Sequence, residues 1–275
     1  MRSAARRGYG PEMITFGKSA VILAASACLL TVAACGPAAT GKSASTPASS
    51  SSAMPSDAAG VSALLRDSTS TIRSAHLDMT ISAAGMTLTG QGDETAAAGK
   101  MQSLDLTENV PQLGALRVII ANGKTYLQVP TSVSHATKPW VLVSPTSSNP
   151  VVRRLATTLQ SVQQAASLNQ FSAFSSAATM SAHDTQDLDG APTTHYTLSV
   201  DVRKLPDTLP GKQQLVTAGV TTLPMQMWLD AKGRLVKFAE NLEVQGQQVS
   251  TVVTVGNFDA PVTVTPPPAD QVATD

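Results

Sequence analysis

The chain has 275 residues, equal numbers of basic and acidic side chains (19 of each), and only 14% charged and 4% aromatic residues. Balanced, scattered charge offers no basic surface to a nucleic acid, so no nucleic-acid partner is expected. Both cysteines, Cys28 and Cys35, lie near the start, so the rest of the chain folds without a disulfide, a thiol nucleophile or a thiolate metal site.

A basic opening (Arg2, Arg6, Arg7, Lys18) leads into an apolar run from Ala20 to Val32, too short for a spanning helix and patterned as a secretory signal. Met13 would open a more compact version of the same signal. The run ends Val32-Ala33-Ala34-Cys35, which resembles the lipobox of bacterial lipoproteins. That resemblance implies removal of residues 1–34, diacylglycerol on Cys35, and an extracytoplasmic chain anchored to the cell membrane. Two or three acyl chains hold stably where a single chain holds marginally. Residues 35–56 are almost all Gly, Pro, Ala, Ser and Thr, and read as a lipidated cysteine followed by a disordered tether. Within the tether, Gly36 to Ser43 fits the P-loop pattern. No strand precedes it and no helix follows, so backbone amides have nothing to converge them on a phosphate.

The folded domain is expected over 57–265. Val61, Leu64, Leu65, Ser68 and Ile72 recur at helical spacing behind an Asp57 cap, predicting a helix to about Ser74. The period then drops to two. Leu77, Met79 and Ile81 alternate with polar residues, and Met86 and Leu88 follow after Ala84-Gly85. Strands are also expected at Met101 to Thr107, Leu116 to Ala121, Lys124 to Val129 and Trp140 to Val143, with Asn122-Gly123 as a hairpin turn. Short, adjacent, hairpin-linked strands predict an antiparallel sheet with one apolar and one wet face.

Asn149-Pro150 starts a helical excursion in which Val152, Leu155, Leu159, Val162 and Ala166 form a stripe continued by Leu168, Phe171 and Phe174. Strands resume at Met180 to Leu188 and His195 to Val202. A short helix is expected at Gly211 to Ala218, then strands at Met225 to Asp230, Arg234 to Val244 and Gln248 to Val255. Residues 266–275 read as a polar tail.

Catalytic and metal signatures are sparse. His76, His135, His183 and His195 stand singly, without zinc-binding spacing, and no G-x-S-x-G elbow occurs. His76 and His195 are expected as solvated side chains on the polar faces of their strands. Asp187 and Asp189 beside Gly190 read as a turn rather than a calcium loop. Arg153-Arg154 is expected on the wet side of its helix, with a lipid headgroup contact as the lesser alternative. No metal, cofactor or enzymatic activity is expected.

The order of helix, strands, helical excursion and further strands resembles the LppX/LprG-type lipoproteins of mycobacteria and their relatives. The residues that carry it are Ile119 to Leu127, Lys138-Pro139-Trp140-Val141, Leu223 to Asp230 with Gly233 to Lys237, and Val253 to Phe258. The resemblance implies an α+β, LolA/LppX-like fold: a strongly bent antiparallel half-barrel of about 10–11 strands, with helices over its concave apolar face. It also implies a monomer that takes a lipid or glycolipid into an apolar cavity, with a membrane transporter as a further partner. The residues expected to line that cavity are Met79, Ile81, Met86, Leu88, Leu104, Leu106, Val118, Ile120 and Leu127 on early strands. Leu155, Leu159, Val162, Phe171 and Phe174 join them from the helical excursion, and Leu198, Met225 and Met227 from late strands. Unbranched, polarizable methionine suits irregular apolar partners such as acyl chains. An envelope sensor or protein-interaction module on the same fold is the alternative.

Overall fold

The computed structural model describes residues 54–111, 114–128, 130, 137–144, 146, 153, 176–207, 212–244 and 246–273. Helix α1 (Ala58–Thr71) opens them, capped by the Asp57 carboxylate, which accepts a hydrogen bond from the Gly60 amide at 2.7 Å. Six strands follow: β1 (Ser74–Ala83), β2 (Met86–Ala97), β3 (Lys100–Val110), β4 (Gly114–Ala121), β5 (Lys124–Gln128) and β6 (Trp140–Leu142). Further along the chain come β7 (Ala178–Leu188), β8 (Ala191–Asp201), helix α2 (Lys212–Thr217), β9 (Thr222–Leu229), β10 (Leu235–Val244), β11 (Gln247–Gly256) and β12 (Val272–Ala273).

These strands make one sheet in the order β12-β6-β5-β4-β3-β2-β1-β11-β10-β9-β8-β7. The sheet is strongly curved and does not close. Every pairing is antiparallel except the parallel one of β12 with β6. Hence the expected 10–11 strands become twelve among the described residues, the addition being β12, which lies in the polar C-terminal stretch. Val272 pairs with Trp140 and is buried, and the Lys138 ammonium donates to its carbonyl at 3.1 Å.

The meander follows from its turns. Ala84-Gly85, Ala98-Gly99, Asn122-Gly123 and Asp189-Gly190 all place two successive residues at positive φ, the type I′ geometry whose twist matches flanking strands. In the last of these, Asp187 accepts from the Gly190 amide at 2.7 Å, the turn role expected of that acidic pair.

Curvature has a local cause at the β2/β3 pair. A Cβ placed on Gly92 would lie 2.3 Å from the Asp105 carbonyl oxygen and 2.8 Å from Leu106 Cα. The neighbouring backbone occupies the space where a side chain would stand, so this approach requires glycine. A register shift between Thr95 and Ala96 bends the same pair further.

Helix α1 docks through Val61 and Leu65, which join the core formed by Met79, Tyr196, Leu198, Met225, Met227, Phe238 and Val253. Its Ser68 hydroxyl reaches the Gly233 carbonyl at 2.8 Å, and Leu64 fills the space beside Gly233, which turns at φ +74°. Arg234 braces that turn, paired with Asp230 at 2.6 Å and lying 4.2 Å over the Phe258 ring. Among the described residues no helix is long and apolar enough to cross a membrane.

Candidate functional site

Register decides which side chains share a face, because directly paired residues point the same way. Ile81 pairs with Leu88, Ala83 with Met86, and Met79 with Gly90. Leu104 and Leu106 pair with Ile120 and Val118, and Val118 pairs with Leu127. On the other side of β1, Met79 pairs with Val253, Val253 with Phe238, Phe238 with Met227, and Met225 with Leu198. The two halves join through Leu77, Gly92 and Leu106. The twelve strand residues expected to line a cavity therefore all occupy one face of the sheet. Leu155, Leu159, Val162, Phe171 and Phe174 lie outside the described residues.

That face is not covered evenly. Over β1 and β8–β11 its side chains are buried, among them Met79, Leu198, Met225 and Met227. Over β2–β5 the cover thins: Leu88, Leu104, Leu106, Val118 and Ile120 are half-buried, and Met86 is 44% exposed. Between the two regions, Gly90 and Gly92 carry no side chain, and Met79 and Glu108 lean over Gly90, their nearest carbons 3.1 and 3.4 Å from where its Cβ would be. The result is an apolar strip floored by backbone, a shape that suits a chain of methylenes.

Three carboxyl groups interrupt the strip, and sequence pattern did not single them out. Glu94 pairs with Leu104, Glu108 with Gly90 and Leu116, and Glu240 with Met225 and Thr251. Burial pushes Glu94 and Glu240 up to about 7 and raises Glu108 as well. Among the described residues no hydrogen bond or ion pair reaches any of the three. Nearby on the same face, the Tyr196 hydroxyl is fully buried without a partner, and burial raises its pKa. The signal that could have flagged Glu240 is its place between Phe238 and Leu242 on the apolar side of the alternation.

The opposite face carries a second, smaller apolar cluster over β4–β6 and β12 (Ile119, Ala121, Trp140 and Val272) and elsewhere bears paired polar groups. Arg117 forms a bidentate pair with Asp105 at 2.6 and 2.7 Å, and His76 meets Asp93 at 2.7 Å. His195 corrects an expectation: it is buried, not solvated. Its Nδ1 lies 2.8 Å from Asp184 and its Nε2 3.2 Å from Gln226, and its ring stacks 4.5 Å from Trp228. Trp228 donates to Gln186 at 2.8 Å and lies under the Lys237 ammonium at 4.6 Å. These contacts across β7–β10 occupy both ring nitrogens. Among the described residues no three His, Cys, Asp or Glu side chains gather as a metal site.

No protein-family model matches the chain, and no curated protein matches it. Among solved structures it is similar to the lipoprotein LppX of Mycobacterium tuberculosis, with 16% identity, 75% of this chain and 99% of that chain covered, and a TM-score of 0.47. It is similar also to LprF of Mycobacterium bovis, at 18% identity, 75% and 96% coverage and a TM-score of 0.45. A putative outer membrane lipoprotein-sorting protein domain from Vibrio parahaemolyticus matches at 11% identity, 75% and 95% coverage and a TM-score of 0.27. Every one of these scores lies below 0.5, so the register of the sheet itself carries the functional reading.

Proposed function

We propose that this chain is a lipoprotein of the cell envelope that binds the acyl chains of a lipid or glycolipid along the apolar sheet face and carries or presents them. Residues 1–34 direct export, lipidated Cys35 and the tether through residue 56 hold the protein at the membrane, and the domain over 57–265 holds the cargo. The observation that carries this reading is the predominantly apolar sheet face, half-buried over β2–β4 and floored by Gly90 and Gly92. Each methylene moved from water onto such a face contributes roughly 0.8 kcal/mol, against which the cost of immobilising the lipid is set. No chemical step is needed, and the protein acts as a monomer that passes its load to the membrane or to a membrane transporter.

The test is transfer of a fluorescent diacyl lipid between donor and acceptor vesicles. The chain is expected to accelerate transfer in proportion to its concentration, and Val118→Trp, which fills the strip, to slow it severalfold. Transfer at the same rate with and without the chain would contradict a carrier.

One observation favours a second reading. Strand β7 stands last in the sheet, pairing among the described strands with β8 alone, and most of its eleven residues are exposed, an arrangement that suits pairing with a strand from a protein partner. A stoichiometric partner that crosslinks to β7 in envelope preparations would support that role.

A further inference from the structure

We propose that Glu240, together with the Tyr196 hydroxyl, is the polar contact of the ligand site, taking a hydroxyl group of the bound lipid; this rests on the lipid-binding reading above. Glu240 is 3% exposed, and the side chains around it on the face are Met225 and Thr251 across the strands and Phe238 and Leu242 along its own. None of these is charged, and the α1 residues in or against the same core are Ala58, Val61, Leu64 and Leu65. Lys237 and Glu243 on β10 point to the opposite face. Nothing among the described residues thus neutralises the carboxyl, although an unpaired buried acid is costly to keep.

Tyr196 supplies an independent observation. Its hydroxyl is buried without a partner. It pairs with Met227, which pairs with Phe238, the residue two before Glu240. The two orphan groups therefore stand on one face, two strands and two residues apart, about 12 Å between backbones at ordinary sheet spacings. A ligand hydroxyl has the chemistry for either group, donating to the carboxyl oxygen or accepting from the phenol. A methylene leaves both unpaired. A carboxylate or phosphate meets like charge from Glu240, with Glu94 and Glu108 on the same face adding to the repulsion. Burial pushes the Glu240 carboxyl up to about 7, in agreement with an unpaired site.

The hydroxyl can belong to a headgroup or to an acyl chain, and the probes separate these sources. The purified full chain, stripped of endogenous lipid, is titrated with monopalmitoylglycerol, methyl beta-hydroxypalmitate, methyl palmitate and palmitate, and complexes are counted by native mass spectrometry. The wild type is expected to prefer at least one hydroxyl-bearing probe over methyl palmitate by about tenfold, the effect of a hydrogen bond to an otherwise unpaired group. Preference for the glyceryl ester alone assigns the site to a headgroup; preference for the hydroxy ester alone assigns it to a chain hydroxyl. Glu240→Leu should abolish the preference, whereas Glu240→Gln, whose amide oxygen still accepts, should keep it and bind palmitate more tightly at pH 8. The glutamine variant also answers the question if the leucine variant fails to fold. Equal binding of hydroxyl-bearing and plain esters by the wild type would overturn this inference while leaving lipid binding intact. Binding of no probe at all would overturn both.

Discussion

Replacing Glu240 by glutamine should make folding stability less dependent on pH, and the structure sets the size of the change. Burial holds the Glu240 carboxyl at about 7 in the folded protein, against the ordinary value of 4.5. Between those values the folded state binds more protons than the unfolded state, so stability is greatest below pH 4.5 and falls as pH rises through 7. Linkage over this interval gives a loss of about 2 to 3 kcal/mol between pH 5 and pH 8 from this one group. Urea denaturation of both proteins at the two pH values measures it. The loss on going from pH 5 to pH 8 should be smaller in Glu240→Gln by about 2 kcal/mol, with the variant the more stable protein at pH 8. Glu94 and Glu108 share the same direction and remain in both proteins, as do the histidines, so the difference isolates Glu240. Equal pH dependence in the two proteins would refute the claim that this carboxyl is buried and unpaired.

Three further outcomes follow from the geometry. Gly92→Ala places a methyl 2.3 Å from the Asp105 carbonyl oxygen, and should cost about 2 to 4 kcal/mol by urea denaturation as β2 and β3 separate; an unchanged midpoint would show that the bend does not depend on this glycine. Gly233→Ala meets both a positive φ and Leu64 at 2.5 Å, and should cost about 2 kcal/mol or more, loosening α1, which amide hydrogen exchange in Ala58–Thr71 would report. Cys35→Ala removes the only acceptor for the expected lipid anchor; the protein should no longer incorporate radiolabelled palmitate, and unchanged labelling would place the anchor elsewhere.

Much of the sheet was legible because its cues are local. Asp57 caps α1 from three residues away, Asn122-Gly123 dictates its turn, and Tyr196, Leu198, Val200 and Val202 alternate as a half-buried strand must. The second half of β2 was not legible: Gly90 and Gly92 interrupt the pattern, and Asp93-Glu94 looks like a loop. Gly92 is required by the close approach of β3 and Gly90 is crowded by the Met79 side chain of β1, constraints that exist only once the strands pair. Likewise β12 depends on a parallel partner far along the chain, and His195 is buried by Trp228, Asp184 and Gln226 converging from neighbouring strands. Of the candidate site, alternation sufficed to place the twelve apolar strand residues on one face of the sheet. The acids among them were not singled out, because alternation places Glu240 on the face of Phe238 and Leu242 but does not show that the carboxyl is left unpaired there.

Native mass spectrometry of the full chain purified from its own host, followed by organic extraction, tests lipid binding most directly. A stoichiometric adduct of lipid mass, diminished in Val118→Trp, is the result expected of an apolar face that holds acyl chains. A mass equal to the lipidated polypeptide alone, with no uptake from a host lipid extract, would contradict it and direct attention to the exposed edge of β7.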